Sequence, residues 1–193
     1  NSDYDEWIYR IHKTMINAIK SFIDRTTMYR LVLYYLMLIY IAALAASAAG
    51  ALSFSPLALL WSAVVVLVWA WLTNEFFAWA FDAVANQESV YITAFILTLI
   101  LQPIAFADVS GSIALAVIAA WAIASKYIFA LGNKHVFNPV AIAAVLSAHV
   151  LNISATWWVA GNLALLPLIL VGGLMLVHKL RKADLVLAFV ATV

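Results

Sequence analysis

Long apolar runs separated by short polar punctuation dominate this chain. From residue 28 onward the runs cover about 28–50, 56–79, 90–107, 112–131, 139–158 and 161–178, and another begins near Leu185. A hydrocarbon core of ~30 Å calls for ~20 apolar residues per helix. The pattern therefore predicts six membrane spans and the start of a seventh. The breaks carry turn chemistry: Gly50 and Pro56, then ANQES, ADVSGS, GNKHVFNP, WWVAGN and HKLRKAD. Pro103 in LQPIAF is expected to end or kink the third span. VGGL at 171–174 suits close packing of one helix on another. Residues 4–26 follow a different rule. Ile8, Ile11, Met15, Ile19 and Phe22 recur at three- and four-residue steps, opposite Arg10, Lys13, Asn17, Lys20 and Asp24. That pattern predicts an amphipathic helix on the membrane surface, or alternatively an arm packed on a soluble domain. The division is thus 1–27, interfacial helix, and 28–193, transmembrane domain. Strand alternation, low-complexity tracts and internal repeats are not evident.

Composition sharpens this into an all-α, polytopic transmembrane helical bundle. The 193 residues are 67% hydrophobic and 10% charged, against ~45–50% and ~25% for soluble domains. Cysteine is absent, which excludes disulfides and thiolate-held metals or iron–sulfur clusters within these residues. The net charge of +1 names no partner and gives no ground for nucleic acid. The opening NSDYDEWIYRIHK is charged throughout and does not read as a signal peptide. The chain stops inside the apolar run DLVLAFVATV, so further chain is expected beyond it. Charge in the connections sets an orientation. Arg10, Lys13, Lys20, Arg25 and Arg30, then Lys126, Lys134 and His135, then His178, Lys179, Arg181 and Lys182 all fall on one side of the predicted topology. The positive-inside rule assigns that side, and the N-terminus, to the cytoplasm. The expected location is the cell's inner (cytoplasmic) membrane, with multiple passes.

Candidate chemistry lies where polar residues interrupt the apolar runs. In NKHVFNP, Asn138-Pro139 starts a helix, with Asn as cap and Pro at the first helical position. Such a start offers free N–H groups and a partial positive charge. Asn133, Lys134, His135, Phe137 and Asn138 can together hold a planar heteroaromatic ring or a small anion, and the spacing leaves open ring, anion or plain cap. In NQESVYITAF, Ser89 and Thr93 share a helix face; they either bond back to their own helix carbonyls or line a cavity. His149 lies ten residues into its span, about 15 Å deep, where an ionisable group is a candidate for an ion or proton pathway with Asn152 as partner. The plainer alternative is a neutral His bonded to a backbone carbonyl. Trp157 and Trp158 fit an interfacial belt, and Thr156 beside them presents a hydroxyl.

The stretches RTTMYRLVLYYL, SPLALL, NQESVYITAFILTLILQP, ASKYIFALGNKHVFNPVAIAAVL and SATWWV, in this order, resemble one family from about Thr26 onward. It is the NqrB/RnfD family, the membrane component shared by sodium-pumping NADH:quinone reductase and the Rnf complex. The likeness is strongest to a variant fused to a C-terminal ferredoxin-reductase-like FAD/NAD(P) domain. The resemblance implies an inverted-repeat fold of about ten helices, of which this chain holds the first part. It implies non-covalent FMN or riboflavin near Asn138, with His135 standing where the family's motif often has another Asn. Covalent FMN in the family sits on a Thr in a Ser-Gly-Ala-Thr-like motif, matched here by SAT ending at Thr156 without the Gly. FAD would belong to a following domain. The implied function is passage of electrons from a reduced nicotinamide or ferredoxin donor toward a quinone or other acceptor, with possible ion coupling. Its partners would be lipid bilayer, flavin and redox domains or subunits. Two rival expectations remain: a non-redox solute or ion transporter, and a plain anchor for a soluble reductase.

Overall fold

The computed structural model describes residues 25–84, 86–131 and 134–192, with positions 7, 10, 13, 14, 17 and 21. The amphipathic helix expected over 4–26 lies for the most part outside the described residues. Within them the chain is all-α, with one minimal hairpin. Helix α1 spans Met28–Ala48, α2 Pro56–Ala80, α3 Gln87–Ile100 and α4 Val109–Ile128. Strands β1 (Ala130–Leu131) and β2 (Lys134–His135) follow, then α5 Pro139–His149, α6 Leu166–Leu180 and α7 Ala183–Thr192.

Local chemistry sets the helix starts. Thr27, Ser55, Asn86, Asp108 and Asn138 each cap a helix with a side-chain oxygen that accepts a first-turn N–H. Pro56 and Pro139 occupy first-turn positions where no N–H is needed. At 1.5 Å per residue, α1, α2 and α4, with 21, 25 and 20 residues, are about 31, 37 and 30 Å long. These three are long and apolar enough to cross a membrane.

The expectation of six spans and the start of a seventh is corrected here. Helices α3, α5, α6 and α7 have 14, 11, 15 and 10 residues, about 21, 16, 22 and 15 Å. The run 90–107 is helical only to Ile100; Leu101 turns extended (ψ 140°) two residues before Pro103, which cannot donate to a helix. The run 139–158 is helical only to His149, and Asn152 then adopts a left-handed φ of 56°. Apolar content persists through both runs while the backbone leaves the helix.

The two breaks satisfy one another. Leu101 and Ala155 form an antiparallel bridge, Thr156 N–H donates to Ile100 O at 2.7 Å, and Trp158 Nε1 donates to Leu101 O at 3.1 Å. Ser62 Oγ accepts from Ile104 N at 2.9 Å. Irregular backbone at membrane depth is tolerated when it is buried and bonded in this way.

The short helix α3 is the innermost element. Val90, Ala94 and Leu97 face a core with Val66, Ile118, Ala119, Ile123 and Ala143 from α2, α4 and α5. Leu99 faces a second core with Leu36, Ile39, Ala43, Ala63, Val159 and Leu165. Small residues at these contacts let helix axes approach closely. Gly172 does the same for α6, lying buried under the Tyr35 ring of α1, while Tyr35 Oη donates to Ile169 O at 2.8 Å.

Candidate functional site

The start of α5 opens onto a cleft of about 330 Å³ lined by Tyr29, Ser89, Ile92, Thr93, Ile96 and the stretch 136–140. Three elements build it. The hairpin pairs Ala130 with His135 and Leu131 with Lys134, which turns the chain out of α4 and delivers it to Asn138 within a few residues. The cap of α3 sets Ser89, and one further turn sets Thr93 on the same face. The first turn of α1 supplies Tyr29. Four residues predicted from sequence, Ser89, Thr93, Phe137 and Asn138, thus share one cavity. Lys134 and His135 contribute backbone to β2; their side chains, and all of Asn133, lie outside the described residues.

Hydrogen-bond roles decide what the cleft can hold. Asn138 Oδ1 accepts from Val140 N at 3.0 Å, so its amide NH₂ remains to donate. Thr93 Oγ1 donates to Ser89 O at 2.9 Å; its hydrogen is spent on its own helix, and only its lone pairs face outward duties. Phe137 is exposed and meets Phe129 edge to face, with ring centroids 5.9 Å apart.

Sequence reasoning missed the partner of Ser89. The half-buried Lys126, third from the end of α4, donates from Nζ to Ser89 O at 2.9 Å and to Ser89 Oγ at 3.1 Å. Its place near the end of an apolar helix marked it as basic; the bond to a residue 37 positions away left no local signal. A second polar cluster occupies the same end of the bundle. Tyr127 Oη donates to Asn74 Oδ1 at 2.7 Å, and Gln87 Nε2 donates to Glu75 Oε1 at 2.6 Å. Asn74 is 2% exposed, yet its Nδ2, like Gln87 Oε1, has no partner among the described residues. Asn74 was not singled out from the sequence; its partner Tyr127 lies 53 positions away. Arg30 Nε pairs with Glu88 Oε1 at 2.7 Å at the rim.

The remaining predicted residues lie elsewhere. His149 ends α5 and is exposed, with Nδ1 3.0 Å from Val145 O. Asn152 is exposed in the turn beyond, and no bond joins the two among the described residues. Thr156 is exposed in the segment paired with the α3 break, at the opposite end of α5 from the cleft. No group of three or more His, Cys, Asp or Glu gathers as a metal site among the described residues. No protein-family model, curated protein or solved structure matches this chain.

Proposed function

We propose that this chain is a flavin-binding membrane domain that passes electrons from a reduced nicotinamide or ferredoxin donor toward a quinone or other acceptor. The observation that carries the reading is the cleft itself. It brings Ser89 and Thr93 of one helix to Phe137 and Asn138 at the start of another. Its volume is at the lower end of the ~300–1,000 Å³ of small-molecule sites, suited to a ring system with its tail outside. Its unspent groups fit the ring: the Asn138 amide and the Ser89 hydroxyl donate where an isoalloxazine edge presents carbonyl and imine acceptors. Phe137 and Tyr29 offer apolar faces. FMN or riboflavin, when bound, supplies the electron transfer; the protein binds, orients and sets the local field. On this reading the basic residues near this end, Arg25, Arg30 and Lys126, favour a cytoplasmic setting for the cleft by the positive-inside rule, with Thr156 toward the outer side.

The test is the spectrum of the purified membrane protein. A visible flavin band that diminishes at least tenfold in Asn138→Leu is expected. A colourless preparation refutes the reading. Mass spectrometry of a Thr156 peptide separately decides covalent attachment: a mass increase equal to FMN less water supports it, and an unmodified peptide removes Thr156 from the cofactor residues.

A second reading has its own observation. Two helices broken within the bundle and paired through Leu101 and Ala155 also match how solute transporters build central sites. A colourless protein that moves a solute in vesicles would favour it.

A further inference from the structure

Lys126 carries a charge that the fold hydrogen-bonds but does not neutralise. An ammonium drawn out of water needs partners, and both partners here are atoms of one residue, Ser89 O and Oγ. No carboxylate pairs with it among the described residues. Glu88 is engaged by Arg30 at 2.7 Å, and Glu75 Oε1 by Gln87 at 2.6 Å. Ser89 in turn lines the Asn138 cleft. Because the ammonium donates to Ser89 Oγ, the hydroxyl hydrogen is left to donate, and no protein acceptor takes it among the described residues. A donor polarised by a neighbouring cation bonds more strongly, most of all to an acceptor that is gaining negative charge.

We propose that Lys126, acting through Ser89, is a positioning residue that raises the reduction potential of the flavin held in this cleft. The inference rests on the flavin reading above. Reduction adds electrons, hence negative charge, to the ring, and a fixed positive charge behind Ser89 favours that state. At an effective dielectric of about 20, a unit charge at side-chain distance shifts such an equilibrium by about tenfold or more. Tenfold corresponds to about 30 mV for a two-electron couple.

Spectroelectrochemical titration of the flavin in the full purified protein tests this. Lys126→Met is expected to retain flavin and lower its potential by at least about 30 mV. Lys126→Arg, which keeps the charge, is expected to stay at the parent value. Ser89→Ala, which keeps the charge and removes the relaying hydroxyl, is expected to lower the potential by a smaller amount; it also decides the matter if Lys126→Met fails to insert. Bound flavin with an unchanged potential in Lys126→Met, or in Ser89→Ala alone when it is the sole variant to insert, overturns the role of Lys126 and leaves the flavin site standing. An equal fall in Lys126→Arg overturns the electrostatic origin. A parent protein without flavin overturns the cofactor reading itself, and this inference with it.

Discussion

Replacing Gly172 with Ala adds one methyl group at the tightest point between α6 and α1. A Cβ built there would press into the Tyr35 ring, with its three nearest atoms all in that ring, whereas a Cβ at the neighbouring Gly173 meets nothing within 4 Å. Two terms compete. Ala is favoured over Gly in a helix by about 1 kcal/mol, and overpacking costs about 1–3 kcal/mol. The ring cannot simply swing aside, since its hydroxyl is tied to Ile169 O at 2.8 Å, a bond worth about 1 kcal/mol. The clash plus the strained bond outweighs the propensity gain by about 1–3 kcal/mol. For a domain of this size that is a fall in Tm of about 2–12 °C. Gly173→Ala, with only the favourable term, should hold or raise Tm. Both are measurable by thermal unfolding in one detergent. Tyr35→Ala should be destabilising alone but should remove most of the penalty of Gly172→Ala, giving a double-mutant coupling of about 1–3 kcal/mol. If Gly172→Ala and Gly173→Ala unfold at the same temperature, the close approach of α6 to α1 is wrong.

Three further outcomes are expected. Asn74→Leu removes the nearer acceptor of the Tyr127 hydroxyl, Asn74 Oδ1 at 2.7 Å, and leaves it the long bond to the backbone O of residue 74 at 3.4 Å; it should cost about 1 kcal/mol in denaturant unfolding, and adding Tyr127→Phe should recover much of it, because the weakly held donor is then gone. Ser62→Ala removes the acceptor for Ile104 N, so amide exchange over residues 101–107 should speed up by about tenfold while α2 stays protected; unchanged exchange would show that Ser62 does not hold the segment. Glu88→Gln breaks an ion pair whose side chains are 59% and 35% exposed and should leave the unfolding midpoint nearly unchanged, the more so at high salt; a marked fall would show that the pair holds the rim.

Much of the helix grammar could be read from residues alone. The cap at Asn138, the prolines at 56 and 139, and the small pair at 172–173 are local signals, and each describes a feature of the fold. The breaks were harder. Pro103 announced the end of α3, but the exit from α5 after His149 has no comparable marker. Val150, Leu151 and Ile153 are as apolar as a span requires, and the backbone leaves the helix there because its partner, the Leu101 segment, lies far away in sequence. Hydropathy measures what a segment dissolves in and not which dihedrals it takes. The candidate site divides in the same way. Ser89 with Thr93, and Phe137 with Asn138, were singled out as two separate polar stretches and lie in one cleft. Lys126 and Asn74 owe their settings to contacts across 37 and 53 positions, and no local pattern encodes those.

The bond from Trp158 to Leu101 O joins residues 57 positions apart, and this has a consequence for biogenesis. When α3 leaves the ribosome, neither its length of about 21 Å nor the exposed carbonyls after Ile100 suit it to lipid on its own. At ~5–20 residues per second the capping tryptophan is not made for several seconds more. Until then the nascent α3 must shelter against α1 and α2 beside the insertion machinery, and translation pauses upstream of residue 158 should lengthen its exposure to quality-control proteases.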